Sequence, residues 1–247
     1  MAQEPDSKLA TRVLPAPLHG ALTHVFGQGI AGCMLVGGTA LAGYYAGHRR
    51  SDDLDLFVKD GSALRATALA AMSLVEIGTE VEEHQRTSQF FSATCVLQGH
   101  AFTAQVVLDP NLFERGSSQA ADDGVVVADL GTLLKTKAAT LVSRCGEKDL
   151  YDLRWLLSEN PRIGVEELLV LGAEIDGGMN AEAALTSLVG TRSRRSACTF
   201  SLTQDADEVL SDIRALKRRL VEGFEKLAAD QPPPEIGELI RRLVPGS

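Results

Sequence analysis

Residues 34–57 read MLVGGTALAGYYAGHRRSDDLDLF, and the rest of the chain is legible around them. An apolar run over 33–36 enters Gly37-Gly38, and Thr39 opens a helix of small residues expected over 39–46. His48-Arg49-Arg50-Ser51 forms a polar turn, and residues 53–58 then alternate acid with leucine as a strand does. Successive strand side chains point to opposite faces, so Asp53 and Asp55 share one face and Leu54 and Leu56 the other. Two carboxylates side by side on a rigid strand suit a hard divalent cation. Glycines let a backbone approach a phosphate closely, and the N–H groups of a helix start can bind it. By itself Gly-Gly-Thr reads as an ordinary strand-to-helix turn capped by Thr39. Its place just upstream of the two acids gives it a phosphate-binding role. No Gly-Lys-Ser/Thr follows, so the turn is not a P-loop.

The 247 residues suffice for one large domain or two small ones, and the 45% hydrophobic content is that of a folded globular chain. The net charge of −9 argues against a nucleic-acid binder held by bulk charge, while leaving room for a local basic patch. Cys33, Cys95, Cys145 and Cys198 are scattered without a CxxC pair, which argues against a disulfide framework or zinc site and fits a reducing cytoplasm. The polar, acidic residues 1–10 hold no apolar core of a signal peptide. No run approaches the ~18 apolar residues of a membrane span, so no membrane partner is expected.

Outward from the acidic strand, residues 1–12 read as a loose tail and 18–26 as a helix. Residues 27–32 match G-x-G-x-x-G letter for letter. The dinucleotide mechanism needs a strand before that pattern and a helix opening in it, and here the order is reversed, so it reads as a turn. A helix is expected over 62–74, an ambiguous stretch over 75–86, and a β-hairpin from 89–97 and 102–108 around Gln98-Gly99. Residues 111–124 read as a loop and 125–127 as a short strand. After residue 128 the pattern is helical, ending in a long amphipathic helix over 205–227, a Pro232-Pro233-Pro234 linker and a last helix over 236–243. Lys217-Arg218-Arg219 reads as a solvated helix face. The domain expectation is an α/β core over 13–127 and a helical region over 128–247.

Lys137 lies on the apolar stripe of the first of these helices, an unusual place for a lysine unless it snorkels out along its stem. In the next helix Asp149 and Asp152 sit at the edge of the inward face. A glycine turn, two strand acids, an inward lysine and two helix acids are the groups that phosphoryl and nucleotidyl transfer require. Carboxylates at i and i+2 can hold one or two Mg²⁺ (or Mn²⁺) ions, and a lysine can offset charge on a triphosphate.

In combination these motifs resemble the polymerase β-like nucleotidyltransferase superfamily, and within it the AbiEii/MenT-like toxin branch. The resemblance is carried by Gly37-Gly38-Thr39-Ala40-Leu41 and by His48 to Phe57. It continues in Lys137 with Ala138, Ala139, Leu141 and Arg144, and in Lys148-Asp149-Leu150-Tyr151-Asp152-Leu153. It covers roughly residues 30–157 and implies an α+β fold, a polymerase β-like core with a mixed sheet followed by a helical C-terminal region. It further implies a metal-dependent enzyme that moves a nucleoside monophosphate from an NTP to an acceptor. For this branch that acceptor can be RNA, such as a tRNA 3′ end, and a cognate antitoxin restrains the enzyme in a toxin–antitoxin or phage-defence pair. Asp53 and Asp55 would be the metal ligands. Gly37, Gly38 and Thr39 would hold the phosphates, with Arg50 (or Arg49) and Ser51 at the rim. Lys137 would contact the triphosphate, and Asp149 or Asp152 would orient it or act as a base. Many superfamily members carry a third carboxylate on a later strand. In the expected register Val107 takes that position, and Asp109 shares its face or belongs to the turn with Pro110. Two rivals are a nucleotidyltransferase acting on a small molecule such as an antibiotic, and a catalytically degenerate fold kept as a binding protein.

Overall fold

The computed structural model describes residues 3–143 and 145–230. In chain order the strands are β1 (Cys33–Leu35), β2 (Asp53–Val58), β3 (Glu80–Arg86), β4 (Phe90–Leu97), β5 (His100–Leu108), β6 (Ser118–Ala120) and β7 (Val126–Ala128). They form one mixed sheet ordered β3-β4-β5-β2-β1-β7-β6, which puts the acidic strand in the middle. β2 runs parallel to β5 and antiparallel to β1, and β1 runs parallel to β7.

The alternation along β2 has the expected outcome: Leu54, Leu56 and Val58 are fully buried, while Asp53, Asp55 and Phe57 are half-buried. Each buried leucine contributes about 2 kcal/mol by removal from water, so a one-residue slip that exposed them would be strongly opposed. The helix α4 (Gly61–Met72) packs on β2, β4 and β5, and α2 (Ala16–Gly27) packs on α4. On the acid side the chain leaves β1 into the short helix α3 (Gly37–Leu41), which bears on β2. α3 also meets α6 (Leu130–Ala139) and α7 (Glu147–Glu159), so two later helices are drawn toward the acidic strand.

The helix after Gly37-Gly38 differs from the expected one. It begins two residues earlier, at Gly37, and residues Ala42–Ala46 wind into a π-helical turn closed by Gly47 N–H on the Ala42 carbonyl at 2.9 Å. Such turns are rare and concentrate at functional sites.

Two further expectations are corrected. The supposed tail contains α1 (Ser7–Val13), because Asp6 accepts from Lys8 N–H (2.8 Å) and Leu9 N–H (3.1 Å) and so caps the helix. The supposed loop at 111–124 contains α5 (Pro110–Arg115) and β6. Asp109 caps α5 through Leu112 N–H (3.0 Å), and Leu112 is fully buried. The ambiguous stretch resolves into a 3₁₀ turn, Ser73–Ile77, and the exposed edge strand β3. The hairpin is present, with Gln98 and Gly99 both at positive φ in its two-residue turn. The G-x-G-x-x-G stretch lies between α2 and β1, helix before and strand after.

Beyond β7, the described chain continues through α6, α7, α8 (Val165–Ala173), α9 (Ala181–Gly190) and α10 (Ala206–Asp230). The proline linker and the helix expected over 236–243 lie outside the described residues. All four cysteines are free and buried, and burial pushes the Cys33 and Cys145 thiols up to about 12 and Cys95 to about 11. No helix among the described residues is long and apolar enough to cross a membrane.

Candidate active site

Two clusters make the site. The first is built by β1, α3 and β2. Gly37 has φ +70°, and a Cβ there would come within 2.2 Å of Asp55 Oδ2. The Asp55 carboxylate therefore lies against the backbone of the glycine turn. The Thr39 hydroxyl donates to the Asp53 carbonyl (2.5 Å) and stands 2.9 Å from Ser51 Oγ, tying α3 to the strand that carries the acids. Asp53 Oδ1 accepts from Thr103 Oγ1 at 2.5 Å, which fixes its orientation from β5.

A prediction follows from this contact. Gly37→Ala forces a Cβ into the Asp55 carboxylate and a non-glycine residue into the left-handed region, a strain of about 1–2 kcal/mol. Moving Asp55 by about 1 Å is expected to slow chemistry at this pair about 100-fold. Steady-state rates beside a melting curve check this; a fully active Gly37→Ala variant would show that the Asp55 placement does not matter.

The second cluster lies where α6 and α7 meet the turn before β2. Lys137 Nζ is 2.8 Å from Asp149 Oδ1 and 2.8 Å from Asp152 Oδ2. Asp152 is fully buried and also accepts from Arg49 Nε (2.5 Å), Arg49 Nη2 (2.7 Å) and His48 Nε2 (2.9 Å). Two cations and two carboxylates thus balance in an interior where an unmatched charge would be costly. Burial alone would raise the Asp152 carboxyl, but Lys137 and Arg49 outweigh it and hold it well below the usual range. Burial opposes charge on Lys137 and Arg49 too, yet the carboxylates beside them raise both above their ordinary values. Burial pushes His48 down, outweighing the pull of Asp152, so the ring is neutral near pH 7 and donates from Nε2. It stacks on Tyr151 with centroids 5.3 Å apart.

Arg49 joins the two clusters. Its guanidinium sits on Asp152, and a Cβ on Gly38 would meet its Nη2 at 2.1 Å. Of the two adjacent arginines, Arg49 is therefore the one against the glycine turn. Arg50 is exposed, with its backbone N–H on the Phe200 carbonyl at 2.8 Å. The Tyr151 hydroxyl bonds Ser201 Oγ (3.0 Å) and donates to Gln204 Oε1 (2.8 Å), close after Phe200 in the chain.

The structure thus gathers Gly37, Gly38, Thr39, Ser51, Asp53 and Asp55 in one cluster, and Lys137, Asp149 and Asp152 in the other. The register of β5 corrects the expected position of a third acid. Thr103 stands beside Asp53 and Gln105 beside Asp55, whereas Val107 is opposite Phe57. Asp109 is spent capping α5 beyond the far end of β2, its N–H on the Val58 carbonyl. Among the described residues no group of three or more His, Cys, Asp or Glu could hold a metal ion. Mg²⁺ needs only one or two carboxylates and completes its shell with substrate phosphates and water, so the pair Asp53 and Asp55 fits that mode. Arg144, part of the sequence motif around Lys137, lies outside the described residues.

Comparison with known proteins places the chain in a family. The family described as "Nucleotidyl transferase AbiEii toxin, Type IV TA system" matches over residues 21–231. Among solved structures, MenT4, a nucleotidyltransferase toxin of Mycobacterium tuberculosis, superposes with a TM-score of 0.51 at 16% identity, covering 90% of this chain and 93% of that one. JHP933 of Helicobacter pylori superposes with a TM-score of 0.50 at 16% identity, covering 87% of this chain and 97% of its own. At that identity both show the shared fold alone. No curated protein sequence matches.

Proposed function

The chain belongs to the AbiEii family of nucleotidyltransferase toxins of type IV toxin–antitoxin systems, and from that premise we propose that it transfers a nucleoside monophosphate from an NTP to the 3′ end of an RNA. The observation that carries the reading is the pair of half-buried acids on one face of β2, with the Asp55 carboxylate against Gly37 of the glycine turn. The backbone of that turn receives the triphosphate, and Thr39 and Ser51 hold the turn to the acidic strand. The ammonium of Lys137 has three donors, of which Asp149 and Asp152 take two; the third serves the phosphates. Asp152 is enclosed and acts by positioning Lys137 and Arg49. Asp149 is more open, its side chain 16% exposed, and is placed to take a proton.

In the reaction an acceptor hydroxyl oxygen bonds to the α-phosphorus and the bond to the bridging oxygen breaks. The hydroxyl proton passes to a carboxylate, and pyrophosphate leaves. Mg²⁺ or Mn²⁺ held by Asp53 and Asp55 would polarise the acceptor hydroxyl and offset charge on the departing oxygens. An antitoxin partner follows from the family's membership in toxin–antitoxin systems.

The test is a transfer assay with each α-labelled NTP, Mg²⁺ and total bacterial RNA, beside an Asp53→Ala/Asp55→Ala control. Label in RNA only with the acids intact is the expected outcome, and it identifies the nucleotide. NTP binding without labelled RNA would redirect the reading to a small acceptor. Absence of both would leave a fold without the activity.

A further inference from the structure

The segment between α9 and α10, residues 191–205, reads TRSRRSACTFSLTQD: three arginines and one acid, Asp205 at its end, in a chain of net charge −9. It is fastened to the site at two places. Arg194 N–H donates to Glu147 Oε1 (2.8 Å) at the start of α7, two residues before Asp149. Farther along, Leu202 N–H donates to the His48 carbonyl (3.2 Å) and Ser201 pairs with Arg49 in an isolated antiparallel bridge. Phe200 is buried edge-on to Tyr151. The segment therefore runs from the Lys137–Asp149 end of the site to the turn that feeds the acidic strand.

Its cations face solvent. Arg192, Arg194 and Arg195 are exposed, as is Lys148 on the adjacent first turn of α7. Arg195 is taken by Asp207 in a two-point pair at 2.6 and 2.9 Å. Arg192, Arg194 and Lys148 form no ion pair within the described residues. Of the two acids in the first turn of α7, Glu147 accepts from the Arg194 N–H and Asp149 is paired with Lys137. Lys148 is moreover in the first turn of a helix, where the macrodipole disfavours a cation. Folding has no use for these three charges, and the acidic chain as a whole repels polyanions, so any nucleic acid must be drawn by a local patch.

Resting on the RNA-acceptor reading above, we propose that Arg192, Arg194 and Lys148 form a rim that holds the phosphate backbone of a single-stranded RNA beside the site. Each phosphate neutralised on a single strand contributes about −0.7 to the slope of log affinity against log salt. Three contacts give a slope of about −2.

The experiment measures binding of a fluorescent single-stranded oligoribonucleotide between about 50 and 200 mM salt. The full chain is compared with the Arg192→Ala/Arg194→Ala/Lys148→Ala variant, with NTP binding followed by calorimetry. The expected result is weaker RNA binding, a slope shallower by about 2, and unchanged NTP binding. If the intact protein labels RNA and the variant binds it with the same affinity and slope, the rim proposal falls alone. If the intact protein neither binds nor labels RNA, the RNA-acceptor reading fails and takes the rim with it. Loss of NTP binding in the variant would assign these residues to the nucleotide. Loss of poly-glutamate binding with RNA binding intact would assign them to an acidic protein.

Discussion

Asp53→Asn is expected to lower nucleotidyl transfer by at least about 10³-fold while leaving the protein folded. Asparagine keeps the side-chain oxygen that accepts from Thr103 Oγ1, so the orientation set by β5 survives. Asp53 is only half-buried, so the stability change is expected within about 0.5 kcal/mol. What disappears is one of the two negative charges on this face of β2. Single-turnover rates of the variant, beside its melting temperature, separate the two effects. A variant that keeps a tenth of the activity would remove Asp53 from the chemistry.

Asp152→Ala is expected to act through stability first. The carboxylate is fully buried and receives Lys137, Arg49 and His48, so its removal strands the buried Arg49 and leaves Lys137 with Asp149 alone. Breaking such a pair from one side costs about 3–5 kcal/mol, a large part of a domain's total stability. Denaturant unfolding measures it, and a loss below about 1 kcal/mol would mean the network is not holding the turn. The same pairing predicts the pH response. Because the folded-state value of Asp152 is depressed, its contribution is complete above the unfolded value of about 4. It is lost as pH falls below that toward the folded value, so unfolding is eased on the acid side. Lys137 and Arg49 are shifted upward, so their contributions hold through neutral pH and fade only above the ordinary lysine and arginine values. In Asp152→Ala the acid dependence below about pH 4 should flatten.

How much of this was legible in the sequence differs residue by residue. The acidic strand was, because period-two alternation is local and Leu54, Leu56 and Val58 leave no choice of face. Helical spacing also turned Lys137 inward and put Asp149 and Asp152 at the edge of an inward face, while their meeting was carried only by the family resemblance. The partner of Asp53 was not. Whether Thr103 or Val107 stands near the acids depends on the register of β5 against β2, which no local pattern carries. Arg49 and Arg50 could not be ranked either. They are neighbours in a turn, and only packing against Asp152 and Gly38 buries the first and exposes the second. The segment 191–205 was silent for a related reason: its pairing with His48 and Arg49 spans some 150 residues of chain. α1 went unread because its one buried residue, Ala10, leaves no apolar stripe to see.

The most direct test of nucleotidyl transfer at this site is to run one reaction twice, with the same NTP labelled at the α-phosphate or at the γ-phosphate. The account predicts that α-label enters the acceptor while γ-label appears as pyrophosphate, in equal amounts, with both lost in Asp53→Asn. Transfer of the γ-label to the acceptor would mean phosphoryl transfer instead and would contradict the account.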